Sequence, residues 1–247
     1  MLASLCLLLG ALAQGSGPPL TVSAAVSLSE ALQEVAAAYR AAGGAPVSFN
    51  LAGSNVLARQ IVNGAPVDVF ISADEAQMEV VARAGLIAEG SRVVVTANTL
   101  VLVVDPRISI DSAADLTKAE IRRIAIGDPA AVPAGVYARS YLEKIGLWTA
   151  LQPKLVPTTN VRAALAAVEN GSAAAALVYA TDARLAPRLR VATIIGGAAA
   201  PRIVYPAAVV KTTRQSAAAR HFLQFLRSGV ASAIFERHGF AASPAPR

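Results

Sequence analysis

The amino-acid sequence predicts an α/β protein built as two lobes with a cleft between them. Three observations predict it. From Leu20 onward, short apolar runs rich in Val and Ile alternate with segments whose apolar residues recur at helical spacing. Two stretches, VVVTANTLVLVVD and IVYPAAVV, interrupt that alternation and read as strand-rich passages from one sheet to another. They bracket a middle block, so the first lobe is expected to be discontinuous, about 20 to 98 plus 207 to 247, around a second lobe of about 99 to 206.

The first unit is the strand LTVSAAV and a helix that carries Leu28, Ala31, Leu32, Val35 and Tyr39 on one face and ends near Gly43-Gly44. VSFNLA follows and passes through Gly53-Ser54 into the helical VLARQIV, stopped by Asn63-Gly64. VDVFI then leads to a helix containing Met78 and Val81, with Gly85 as its cap. After Asp105-Pro106 the alternation resumes: IRRIAIGD, a helix from about Ala134 to Ile145, KLVP, and a helix from about Val161 to Glu169. AAAALVY and RVATIIG supply further strands before IVYPAAVV, and helical segments around His221 to Arg227 and Ala231 to Arg237 close the chain. No internal repeat is visible.

Composition removes several classes of function. With 247 residues, 55% of them hydrophobic, the chain can bury a sizeable core, so disorder is a poor reading. The net charge of +6 suits nucleic acid or long-range attraction of anions. However, Arg59, Arg83, Arg92, Arg139, Arg162 and Arg184 are scattered singly with few aromatics between them, which argues against nucleic acid. Residues 1 to 13, MLASLCLLLGALA, form a short apolar run ending in the small-x-small pattern Ala11-Leu12-Ala13 and read as a signal peptide. The run falls short of the roughly 20 residues a membrane span needs. Cys6 lies inside it, behind Leu5 rather than the small residue expected before a lipid-modified cysteine, so the mature chain is expected to hold no cysteine.

Four strand ends pass through small or polar residues directly into helices, at Ser27, Gly53-Ser54, Pro133-Ala134 and Asn160-Val161. A helix start offers unpaired backbone N–H groups and a positive dipole end, the usual physical basis for holding an anion. In open α/β sheets such junctions lie at the carboxyl ends of strands, where ligands bind. Taken singly each has an ordinary explanation. Ser27-x-x-Glu30 is a capping box, Ser54 and Asn160 suit helix caps, Pro133 suits a first turn, and Tyr179 at the end of AAAALVY suits packing.

Taken together, AAVSLSEAL, GSNVLARQIVNGAPVDVFISAD, GDPAAVPAGVYAR, VRAALAAVENGSAAAALVY, YPAAVV and IFERHGF resemble, in order and spacing, the bacterial periplasmic molybdate-binding protein family. The resemblance runs from about Leu20 to Phe240. It implies a type II periplasmic binding protein in which each lobe is a mixed sheet flanked by helices. It also implies that the chain serves an ABC importer, delivering molybdate, and tungstate with it, to a membrane permease. The family's oxyanion ligands fall on Ser27, Ser54, Ala134, Val161 and Tyr179, with no direct protein ligand to the metal and no cofactor. Gly53 and Asn55 flank Ser54 where the family is expected to be richer in serine. A periplasmic monomer is expected.

That ligand set holds donors only, which suits a fully deprotonated dianion whose oxygens all accept; hydrogen phosphate would benefit from an acceptor. Molybdate, tungstate and sulfate are alike in this respect, so a binding protein for another tetrahedral oxyanion such as sulfate is the alternative, followed by an enzyme on the same fold. Arg59 and Asp68 are candidates for supporting loops behind the ligands. Enzyme readings lack their motifs: there is no GxSxG, Walker loop or HExxH, and the only histidines, His221 and His238, lie in the C-terminal helices.

Overall fold

The structure, a computed structural model, describes residues 18–242. The expected signal peptide with Cys6 lies outside the described residues, as does the SPAPR tail. Strand β1 (Leu20–Ala25) enters a 3-10 turn at Val26–Leu28 and then α1 (Ser29–Ala41); β2 (Val47–Ala52), α2 (Ser54–Val62), β3 (Val69–Ile71), α3 (Glu75–Arg83) and β4 (Val93–Asn98) follow. Next come β5 (Leu100–Val104), β6 (Ile124–Gly127), α4 (Pro133–Lys144), the short α5 (Trp148–Leu151), β7 (Leu155–Thr158) and α6 (Val161–Glu169). The chain continues through β8 (Ala175–Tyr179), the one-turn α7 (Ala180–Ala183), β9 (Arg190–Ile194), β10 (Ile203–Val209), α8 (Ser216–Leu226) and α9 (Gly229–Arg237).

The strands form two five-stranded mixed sheets, ordered β2-β1-β3-β10-β4 and β7-β6-β8-β5-β9, one in each lobe. In the first, β1 lies parallel between β2 and β3, and β10 runs antiparallel beyond them. In the second, β6 lies parallel between β7 and β8, and β5 runs antiparallel beyond them. Both lobes thus follow one plan without any sequence repeat, because strand order follows from short parallel crossovers rather than from residue identity.

Thr99 alone separates β4 in one sheet from β5 in the other, so the first crossing lies where VVVTANTLVLVVD places it. The second differs from expectation. The first sheet takes up the chain at Ile203, paired with Asn98, rather than at residue 207. Within β10, Pro206 is accommodated at a register shift between Tyr205 and Pro206.

Packing follows the apolar faces. Ala31, Leu32, Val35 and Tyr39 of α1 are all buried, and complete burial of a Leu or Val side chain stabilises by roughly 1.5–3 kcal/mol. Every residue of β8 is buried, and the small Ala175 and Ala176 let α4 and α6 pack on the same strand. The three parallel strands of each sheet therefore end beside the N-termini of tightly held helices.

Candidate functional site

The carboxyl ends of the parallel strands from both lobes converge on one cavity. It is lined by Ala25, Ser27, Ala52, Gly53, Ser54 and Ala73 from one lobe and by Val132, Pro133, Ala134, Asn160, Val161 and Tyr179 from the other, with Val26 beside Ser27. All five residues expected as ligands are on that lining. Each is closed off from solvent, with exposures of 3% for Ser27, 1% for Ser54, 1% for Ala134, 4% for Val161 and 1% for Tyr179. The cavity volume is about 20 Å3. On that measure a single water needs roughly 10–15 Å3, so the room suits a small inorganic ion.

The local structure decides what each residue presents. Asn160 caps α6 by accepting the Ala163 N–H at 3.0 Å, which leaves the Val161 amide in the first turn with no intrahelical acceptor. Pro133 occupies the first position of α4, where its missing N–H costs nothing, and Ala134 supplies the next amide. Glycine sets how close α4 approaches: a Cβ on Gly135 would lie 2.0 Å from the Gly127 carbonyl oxygen, so only glycine seats this helix start against the end of β6.

The two serines are not caps. Helix α1 starts at Ser29, after the 3-10 turn that holds Ser27, and the Ser27 hydroxyl pairs with Tyr205 Oη at 3.0 Å instead of bonding the helix backbone. Gly53 holds the cap position of α2, while Ser54 Oγ accepts the Ala73 N–H at 2.9 Å. With that acceptor side occupied, the Ser54 proton is left to donate. Tyr179 Oη is buried and has no hydrogen-bond partner among the described residues. Burial pushes this hydroxyl well above the usual phenol range, so it remains a donor.

No Lys or Arg lines the cavity. The nearest positive side chain in sequence, Arg162, bridges the lobes instead. Its Nη1 and Nη2 donate to Glu30 of the first lobe at 3.2 and 2.7 Å, and its Nε donates to Asp182 Oδ1. The hydrogen bond from Arg162 holds the Glu30 carboxyl below the usual range, whereas burial pushes Asp182 up to about 6. Asp68 accepts from the Thr21 N–H near the opposite ends of the strands, and neither Asp68 nor the exposed Arg59 lines the cavity. His221 pairs with Tyr39 and His238 with Glu34, also off the cavity lining. Among the described residues no group of three or more His, Cys, Asp or Glu side chains is placed to hold a metal ion, and no helix is long and apolar enough to cross a membrane.

Sequence reasoning missed the residues behind the cavity lining: Asn98, Tyr205 and the Glu30–Arg162–Asp182 cluster. A polar Asn98 within the apolar run VVVTANTLVLVVD was the one available sign.

Two mixed sheets, a buried cavity at their facing strand ends and a lining of amides and hydroxyls define a two-lobed solute-binding protein. The profile of the bacterial extracellular solute-binding protein family matches residues 20–241, and the chain belongs to that family, whose members bind and deliver solutes rather than catalyse reactions. It is 38% identical over 227 residues to the molybdate-binding protein ModA of Escherichia coli K12, covering 90% of this chain and 88% of that one. Among solved structures, the substrate-binding domain of a putative molybdenum ABC transporter from Clostridium difficile is 32% identical with a TM-score of 0.73, covering 92% of this chain and 99% of that one. The periplasmic molybdate-binding protein of Azotobacter vinelandii is 26% identical with a TM-score of 0.81, covering 92% of this chain and all of that one, 100%.

Proposed function

We propose that this chain captures molybdate, and tungstate in the same way, in the periplasm and delivers it to the membrane permease of an ABC importer, acting as a monomer without a cofactor. Residues 1 to 13 export it. Residues 20 to 98 and the chain from Ile203 onward form one lobe, and the segment between forms the other. The ligands are the hydroxyls of Ser27, Ser54 and Tyr179 and the amides of Ala134 and Val161.

The observation that carries this reading is the buried Tyr179 hydroxyl, with no partner among the described residues, on a small cavity whose other polar groups are backbone amides, serine hydroxyls and the capping Asn160. A buried hydroxyl left unpaired costs about 1–3 kcal/mol, a cost that an oxyanion accepting from it removes. The names of the relatives support molybdate as that oxyanion. A carboxylate among the ligands would repel a dianion strongly in so buried a site, and none is on the lining.

Calorimetric titration of the mature protein with molybdate, tungstate, sulfate and phosphate tests the proposal. Tight binding of molybdate and tungstate is expected. Tight sulfate or phosphate binding with no response to molybdate would refute it.

A further inference from the structure

A chain of hydrogen bonds reaches Ser27 from the crossing between the lobes. At its origin the Thr99 amide donates to Asn98 Oδ1 at 2.8 Å. That bond fixes the orientation of the Asn98 amide, so Nδ2 has its protons to give. It donates to Thr181 Oγ1 at 2.9 Å and to Tyr205 Oη at 3.1 Å. Tyr205 is fully buried, and burial raises its hydroxyl far above the usual phenol range, so it keeps its proton. Having accepted from Asn98, it has that one proton to place, and Ser27 Oγ at 3.0 Å is the acceptor in reach. Ser27 therefore receives a hydrogen bond from behind and turns its own proton to the cavity it lines. Ser54 has the same polarity, imposed by the Ala73 N–H.

We propose that Asn98 and Tyr205 are positioning residues that lock Ser27 as a donor and so make the site reject oxyanions that carry a proton, independently of their charge. This rests on the reading of the cavity as an oxyanion site. Hydrogen phosphate and hydrogen arsenate match molybdate in charge once their second proton is lost, but one of their four oxygens is itself a donor. Facing a locked donor, that oxygen forfeits a hydrogen bond and leaves a buried polar group unpaired. An aspartate at position 98 inverts the chain. Its carboxylate accepts the Tyr205 proton, Tyr205 Oη accepts from Ser27, and Ser27 turns a lone pair to the cavity. A phenylalanine at position 205 unlocks Ser27 without inverting it.

The experiment titrates the wild type, Asn98→Asp and Tyr205→Phe with molybdate and with inorganic phosphate above phosphate's second pKa, where both ligands are dianions. A new carboxylate repels both alike, so the readout is the ratio of the two affinities. In Asn98→Asp the preference for molybdate is expected to fall about tenfold, and in Tyr205→Phe by a factor of about three. In a Ser27→Ala background the Asn98→Asp shift in the ratio should vanish. An unchanged ratio in Tyr205→Phe and Asn98→Asp, or a shift that persists without the Ser27 hydroxyl, overturns the inference. Failure of the wild type to bind molybdate overturns the reading of the cavity instead.

Discussion

Tyr179→Phe separates a binding hydroxyl from a packing one, because it removes a single oxygen atom from a ring that is otherwise fully buried. The hydroxyl has no partner among the described residues, so its burial in the free protein costs about 1–3 kcal/mol. Its loss should therefore leave the free protein as stable or more stable, and at this chain length each kcal/mol recovered raises the melting temperature by roughly 2–4 °C. Binding should respond in the opposite direction. A hydrogen bond to a charged acceptor contributes about 1.5–3 kcal/mol, which corresponds to a roughly 10- to 150-fold loss of molybdate affinity. Calorimetric titration reads that loss, and melting with and without saturating molybdate reads the linkage: the ligand-induced rise should shrink, so the two proteins differ when free and converge when bound. Unchanged affinity would show that the hydroxyl does not face the anion. A free variant that melts well below the wild type would show that it has a partner in the protein.

Ser27→Ala and Ser54→Ala should each weaken molybdate binding by about 1–3 kcal/mol in titrations. Ser54→Ala should also lower stability in denaturant melts, since it strands the buried Ala73 N–H. Gly135→Ala forces a Cβ to within 2.0 Å of the Gly127 carbonyl oxygen and should cost about 1–3 kcal/mol of stability while displacing Ala134 from the cavity, so both melting temperature and affinity fall. The raised pKa of Asp182 means that the folded protein holds more protons than the unfolded chain between 3.8 and about 6, so this group's contribution to stability declines as pH rises through that window. Denaturant melts across the window should show this slope in the wild type and lose it in Asp182→Asn.

The parts of the fold that rest on local pattern were legible. Helix α6 spans Val161–Glu169, as the periodicity and the Asn160 cap predict, because every determinant of that helix lies within a few residues of it. Helix α8 begins at Ser216, ahead of the expected His221, since the alanines of SAAAR have no polar–apolar contrast to mark a face. At the site, the residues that line the cavity were legible but their hydrogen-bond partners were not. Ser27-x-x-Glu30 carries the pattern of a capping box, yet Ser27 bonds Tyr205, 178 residues away, and Glu30 bonds Arg162, 132 residues away. Contacts over such separations leave no local periodicity, so the polarity that makes a serine a donor emerges only once β10 returns to the first sheet and sets Tyr205 behind Ser27.

Donor polarity cannot rank molybdate against sulfate, because both accept at all four oxygens; the spacing of the lobes must. Gly53 lies at one close approach between them. A Cβ there would stand 3.1 Å from the Thr159 carbonyl across the cleft and 2.8 Å from Asn55 Oδ1. The Asn55 side chain can swing aside, whereas the Thr159 carbonyl, a backbone atom of the second lobe, must itself give by a few tenths of an ångström. Metal–oxygen bonds in molybdate are longer than sulfur–oxygen bonds in sulfate, so the same retreat loosens the smaller anion more. The backbone of Gly53, with φ −63° and ψ 137°, accepts alanine without strain, so Gly53→Ala tests the approach of the lobes. Parallel titrations should show a modest loss of molybdate affinity and a larger proportional loss for sulfate. If the variant instead binds molybdate more tightly than the wild type, the native cavity is sized for the smaller anion, and sulfate rather than molybdate is the ligand that the closed lobes fit.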